Sequence, residues 1–311
     1  MLLTYRAYGR TIASDRPLPE LETIDGAAAI TVTWNARAQF AAGGRWTTLW
    51  RFSTEEPWVT TAQMNGVRYL RFGRFADVAL SPRRIDVARR GHASDATLRH
   101  LVLDQALPLA LASDGALVVH ASAVASGARA IALAGRAGVG KSTLAALLAS
   151  EGMRVIADDG VLLERRPPDV CVVASYPGLR VYRDSAQAAG LDVTHTAAVA
   201  EYSRKIRVIP PRRSQDQPET QPETMTLTAI YSLISGESTV RFEKLPRRDA
   251  VMEVLANAYR IDPGDRLGLE AQMDAAAAVA PDVWRVSYPR DLARAAAVAS
   301  AIAVHARGLG L

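Results

Sequence analysis

The sequence predicts an α/β core built around a phosphate-binding loop, preceded by a β-rich N-terminal domain. Three observations lead there. The stretch "GRAGVGKS" (Gly135 to Ser142) fits G-x-x-x-x-G-K-[ST] and lies between a strand-like and a helix-like run. Strand and helix patterns alternate from about Ser94 onward. The first ninety residues are short β-branched and aromatic runs separated by turn residues. The expected boundaries are 1–93 for the β-rich domain and 94–311 for the core.

The 311 residues suffice for a substantial core, and about half are apolar with about a fifth charged, the profile of an ordinary globular protein. "MLLTYRAYGR" lacks a basic region followed by a sustained apolar core, so no signal peptide is expected. The apolar run from Leu101 to Val119 is broken by Asp104, Pro108 and Asp114, and no stretch reaches membrane-spanning length. The lone cysteine, Cys171, leaves no internal disulfide and no thiolate cluster, and a reducing cytoplasm is the simplest home. The formal charge of +5 is modest, and "RRGHASDATLRH" and "PPRRSQ" carry no interleaved aromatics. Neither nucleic acid nor membrane is an expected partner.

Within the N-terminal region, "AITVTW", "RWTTLWRF", "GVRYLRF" and "ADVAL" read as strands, with "AAGG" and "QMNG" as turns. Trp34, Trp46, Trp50 and Trp58 fall at strand spacing, which favours a sheet core over a ligand box. "SDATLRHLVLDQALPLALAS" reads as a helix capped by Ser94 and bent or ended at Pro108. "ALVVHASAV" and "ARAIALAG" are two strands, with "ASGA" as a hairpin turn. A helix from Lys141 to about Glu151 follows, packing through Leu144, Leu147 and Leu148, and then the strands "RVIA", "VLLERR" and "DVCVVASY". Residues 211–224, "PRRSQDQPETQPET", have no apolar anchor and read as a flexible excursion, a solvated loop more than a lid. Strands "TAIYSLIS" and "TVRFEKL", helices "RDAVMEVLANAYR" and "LEAQMDAAAAVA", the strand "VWRVSY" and a last helix from about Pro289 complete the order.

The chemistry gathers at the loop. Its glycines allow consecutive N–H groups to point at phosphate oxygens, and the helix that follows adds its N-terminal dipole. The expected cradle is Gly135, Arg136, Ala137, Gly138, Val139, Gly140, Lys141, Ser142 and Thr143, with Lys141 on the outer phosphates and the Ser142 hydroxyl on Mg²⁺. The strand after the loop's helix is expected to run parallel to the strand before it and to end on the loop's side, so "RVIA" delivers Asp158 and Asp159 beside the terminal phosphate. A carboxylate there holds the metal or takes the proton of an attacking hydroxyl, and two acids allow the tasks to be divided. The plainer alternative is an exposed "DDG" turn. His120, at the end of "ALVVH", is a structural histidine unless its strand is adjacent, in which case its imidazole faces the same acids. Lys205 and Arg207 in "YSRKIRV" are cations for a phosphate or an acidic substrate, or a solvated strand edge. Glu164 reads as a surface strand residue.

"VVHASAV", "LAGRAGVGKST" and "RVIADDGVLL", in this order and spacing, resemble the C-terminal domain of the HPr kinase/phosphorylase family. "YPGLRVYRDS", "SRKIRV", "LTAIYSL" and "LANAY" extend the likeness to the HPr-kinase-related branch, which includes kinases of lasso-peptide precursors. The resemblance implies an α/β P-loop kinase core, HPr-kinase-like, with a β-rich N-terminal domain. It implies an ATP- and Mg²⁺-dependent serine kinase acting on a peptide or small protein. It assigns the base to Asp159, sets Asp158 nearer the metal and matches the family histidine to His120. It also implies a homo-oligomer, although no self-complementary patch is legible. The family's glutamate-bearing signature has no match here, and "ASYPGLRVYRDS" stands in its region. HPr as acceptor and phosphorolysis are therefore not carried over. Two other readings stay open from the residues: a kinase of a small hydroxyl metabolite, and a nucleotide-binding switch without catalysis.

Overall fold

The computed structural model describes residues 2–34, 45–51, 57–176, 178–210, 223–260 and 266–311. The "AAGG" turn and residues 211–222 of the expected excursion lie outside them, whereas Thr224 already belongs to a strand.

A first sheet of nine strands is built from β1 (Leu3–Ala7), β2 (Arg10–Ser14), β3 (Glu22–Thr23), β4 (Ile30–Thr33), β5 (Thr47–Arg51), β6 (Pro57–Met64), β7 (Val67–Phe72), β8 (Ala76–Ser81) and β9 (Arg84–Arg89). Its order is β3-β1-β2-β4-β9-β8-β7-β6-β5. Alternation along β7 and β9 turns Leu70, Phe72, Ile85 and Val87 to one buried face, where Trp34 and Trp58 also lie. Strands β1, β2, β3, β6 and β9 add to the four read from the sequence. β1 and β2 meet in a two-residue turn at Tyr8 and Gly9, both with positive φ (53° and 62°), as a type I′ hairpin requires.

That sheet packs on a helical run. Ser94 caps α1 (Asp95–Leu101), its hydroxyl accepting from the Thr97 N–H at 3.2 Å. The helix widens to a π turn over Val102–Ala106 and resumes as α2 (Leu107–Ser113). Pro108 therefore does not end the helix. Without an N–H it leaves the Asp104 carbonyl free of an i+4 donor, and the Tyr259 hydroxyl stands 3.2 Å from that oxygen instead. Leu98, Leu101, Leu103 and Leu107 share one core with the first sheet and with Val118, Leu162 and Val173.

The second sheet begins with a hairpin, β10 (Leu117–Ser126) and β11 (Arg129–Ala134), turning at Gly127 and Ala128. The glycine loop and α3 (Lys141–Ser150) come next, then β12 (Arg154–Ala157), β13 (Gly160–Arg166) and β14 (Asp169–Val173). A small hairpin of β15 (Leu179–Val181) and β16 (Ile206–Val208) encloses α4 (Arg183–Ala188) in sequence. β17 (Thr224–Ser235), β18 (Arg241–Lys244), α5 (Arg247–Ala256), α6 (Arg266–Val279), β19 (Val283–Tyr288) and α7 (Ala295–Gly308) complete the chain. The helix read through "LANAY" stops at Ala256, because Ala258 bridges to Val119 on the edge of β10. The last helix starts at Ala295 rather than near Pro289, after a 3₁₀ turn. Helices α3 and α7 cover one face of this sheet and α5 and α6 the other. No helix among the described residues is long and apolar enough to cross a bilayer.

As the sequence predicts, β12 runs in the same direction as β11; the two are not neighbours, since both pair antiparallel with β10, which runs between them. β12 and β13 are two parts of one run along β10, interrupted at Asp158 and Asp159. Ala157 pairs with Ala123 and Gly160 with His120, so Ser122 stands opposite Asp158. At the interruption the Gly160 N–H reaches back to the Asp158 carbonyl (2.9 Å) across Asp159, whose φ is +64°. This is a γ-turn of the uncommon positive-φ kind.

The turn closes on the Tyr8 side chain. A Cβ at Gly160 would lie 2.5 Å from the Tyr8 hydroxyl, 3.5 Å from its Cζ and 3.2 Å from Pro108 Cγ. Gly160→Ala is expected to lower stability by ~1–3 kcal/mol, as overpacking does. Adding Tyr8→Phe removes the obstructing oxygen and should restore much of the loss. Thermal melts of the single and double variants check this, and purely additive losses would contradict it.

Candidate functional site

The two ends of the motif converge at the carboxyl ends of β11 and β12. Gly140 caps α3 with φ +112°, which turns the chain sharply from loop into helix and sets Lys141 and Ser142 in the first turn. Lys141 is buried, and its Nζ donates to the Gly135 carbonyl at 2.7 Å and the Arg136 carbonyl at 3.2 Å, so it folds along its own loop. Burial pushes its pKa down to about 8, against the pull of Asp159. The loop is braced from outside: the Gly135 N–H donates to Asn257 Oδ1 (3.1 Å), and the Tyr288 hydroxyl donates to the Val139 carbonyl. The first-turn Thr143 hydroxyl meets Ser185 of α4 at 3.1 Å.

Asp158 has no solvent contact. One carboxylate oxygen accepts from the Ser142 hydroxyl (3.0 Å) and from Ser122, and the other from the Arg180 N–H (2.7 Å). Burial raises its pKa, and the neighbouring charge of Asp159 raises it further. Asp159 goes the other way. Burial alone would raise it, but Lys205 and Arg180 outweigh burial and hold it below the usual carboxylate range. Two adjacent acids are thus driven apart, one toward the protonated form and one toward the ionised form.

His120 faces the same turn, with Nδ1 3.1 Å from the Asp159 carbonyl, which only an N–H there can satisfy. Burial and the Lys141 charge lower its pKa, so the ring is neutral at pH 7, with Nε2 as an acceptor. The sequence-derived residues Lys141, Ser142, Asp158, Asp159 and His120 are therefore brought together, and Lys205 joins them through its field on Asp159. Arg207 sits over the Tyr176 ring (5.2 Å), its Nη1 buried without a hydrogen-bond partner. Glu164 pairs with Arg166 at the surface (2.9 Å).

Several residues of the site were not picked out from the sequence. Arg180 is fully buried and pairs with Asp104, while Asp104 also accepts from Tyr176 and His100. Its carboxyl is held at about 2, because Arg180 and His100 overcome burial. The signal was present as a lone acid inside the apolar run "LVLDQALPLAL" and a lone arginine inside "YPGLRVY". Ser122 was legible too, two residues beyond His120 on the same strand. Asn257 left only the "NAY" after a helix as its trace. Tyr8 left none.

No family profile matches the sequence, and no curated protein does. Among solved structures the chain is similar to the Hpr(Ser) kinase/phosphatase from Coxiella burnetii, with 13% identity over 60% of this chain and 95% of that one, and a TM-score of 0.31.

A lysine with a lowered pKa leaves a stability signature. The unfolded chain holds the Lys141 proton up to about its ordinary 10.5, the folded chain only to about 8. Between those values the unfolded state binds more protons, so stability rises with pH. Relative to Lys141→Met, the wild-type melting temperature is expected to climb from pH 8 to pH 10. A flat or falling difference would show that the ammonium is not destabilised there.

Proposed function

We propose that this chain is an ATP-dependent serine kinase that phosphorylates a peptide or small protein, of the lasso-type precursor class that its motifs resemble. The observation that carries the reading is the 3.0 Å contact between Ser142, in the first turn after the glycine loop, and Asp158, beside a second acid kept ionised by Lys205 and Arg180. A cradle for phosphates and a carboxylate that is ionised at neutral pH then lie within one side chain of each other.

The chemistry asks little more. The loop N–H groups and the dipole of α3 hold the triphosphate, and Lys141 leaves the Gly135 and Arg136 carbonyls for the outer phosphates. Ser142 and Asp158 present oxygen donors only, a set that suits a hard divalent cation completed by phosphate oxygens and water. Mg²⁺ bound there would neutralise charge on the triphosphate. Asp159 takes the acceptor hydroxyl proton as that oxygen bonds to the γ-phosphorus. The bond from phosphorus to the bridging oxygen breaks, and ADP leaves with the electron pair. His120 fixes the Asp159 carbonyl, and Lys205 faces the same carboxylate and the incoming charge. The first sheet, which shares its core with the α1–α2 run that supports the site, is the proposed platform for the acceptor.

Incubation with Mg²⁺ and γ-labelled ATP, against a panel of serine peptides and against small hydroxyl compounds, tests the reading. Label on a peptide serine is expected. Label only on small compounds would move the acceptor class, and binding of ATP with no transfer to any acceptor would leave a switch. Asp159→Asn is expected to bind ATP with affinity near that of the wild type and to lose transfer by ~10²–10⁴-fold, the usual contribution of a general base. Chelation with EDTA should abolish transfer and Mg²⁺ should restore it. Transfer retained by Asp159→Asn would remove the base assignment.

A further inference from the structure

Arg180 is among the largest side chains in the molecule with no solvent contact, and the reaction described above does not use it directly. Taking a guanidinium out of water costs several kcal/mol unless every donor is met. Here each is spent on a particular part of the site. Nε donates to Asp104 Oδ2 (3.2 Å), and Nη2 faces Asp104 Oδ1 and the Tyr176 hydroxyl. Nη1 donates to the Asp158 carbonyl (3.2 Å) and the Gly178 carbonyl (3.1 Å). The backbone N–H of the same residue holds Asp158 Oδ2, and Nε stands 3.9 Å from Asp159 Oδ2. One residue thus grips both acids, by backbone and side chain, and ties them to the π turn of the helix that carries Asp104.

A stabilising role alone does not account for this. A buried ion pair exchanged for an apolar pair of similar volume is often neutral or better for stability. What leucines in place of Arg180 and Asp104 lack is a donor for the Asp158 carbonyl and a positive charge beside Asp159. Ser122, His120 and Tyr259 hold other atoms of the γ-turn, and the Asp158 carbonyl takes its side-chain donor from Arg180. With no exposed surface, Arg180 does not reach a substrate.

We propose that Arg180, anchored by Asp104, is a positioning residue for phosphoryl transfer: it sets the Asp158–Asp159 turn against the glycine loop. This rests on the kinase reading above. It separates that reading's metal and phosphate contacts from the scaffold that aligns them.

Two variants test it with Mg²⁺, ATP and the serine peptide that the wild type labels. Arg180→Lys keeps the charge but cannot bridge Asp104 and the Asp158 carbonyl together. Its kcat is expected to fall ~10²-fold, the scale of a misplaced catalytic group, with KM for ATP within ~3-fold. Asp104→Leu combined with Arg180→Leu should melt cooperatively near the wild-type temperature and show the same split. In an Asp159→Asn background, Arg180→Lys should cost little more, because both changes act on one step. A wild-type kcat in Arg180→Lys, a loss carried in KM, or full additivity with Asp159→Asn would overturn the proposal. If the double leucine variant fails to fold, Arg180→Lys and its cycle with Asp159→Asn still decide. A wild type that binds ATP and labels nothing would bring down the kinase reading and this inference with it. An active wild type with an equally active Arg180→Lys would bring down the inference alone.

Discussion

A guanidinium with no access to water sits beneath the acidic turn, and much of the second sheet's local geometry follows from it. Arg180 needs a carboxylate, and Asp104 provides one from a helix that widens to a π turn at that residue. The same helix surrenders an Asp104 carbonyl to Pro108, and Tyr259 comes across from the end of α5 to meet it. Tyr259 is placed by the Ala258–Val119 bridge, and the neighbouring Asn257 braces Gly135 at the start of the glycine loop. Ion pair, helix defect and glycine loop are one connected arrangement of satisfied polar groups. In a low-dielectric interior each partner holds the next in place.

The arrangement carries local costs beside the acids. Asp159 occupies a positive-φ γ-turn, Tyr8 a left-handed position that asparagine or glycine would take more easily, and the Tyr8 hydroxyl is buried without a partner. Strain of this kind persists where the surroundings over-determine it. Here the surroundings are Ser122, Arg180 and His120, each fixing a different atom of the Asp158–Asp159 turn. The electrostatic result is two neighbouring carboxyls with opposed tendencies. Asp158 is walled in by hydroxyls and one N–H, and Asp159 faces two cations. A division of labour between metal contact and proton acceptance needs such an asymmetry.

Much was legible in the chain itself. The glycine loop, its helix with Leu144, Leu147 and Leu148 inward, and the β10–β11 hairpin are local: turn chemistry and periodicity act over a few residues. So are the cap at Ser94 and the burial of Trp34 and Trp58. The strands β1 and β2 were not legible, because "LTYRA" and "RTIAS" mix polar and apolar residues without a clean alternation. Their hairpin is fixed by what Tyr8 and Gly9 pack against, Gly160 and Val173. The direction of β12 was legible, but its place beyond β10 from β11 was not, since connection rules give direction and not which strand lies between.

By itself the sequence determined that a glycine-rich loop ends in Lys141 and Ser142 and that two acids follow seventeen residues after the lysine. Backbone conformations of glycines and the pitch of a helix need only neighbours in the chain. The tertiary structure alone decided that Asp158 is sealed and Asp159 ionised, that Arg180 serves both, and that a tyrosine eight residues from the start closes the floor. Those outcomes depend on burial and on fields from side chains tens to more than a hundred residues away. No local pattern encodes the desolvation of a charge or the identity of the partner that offsets it.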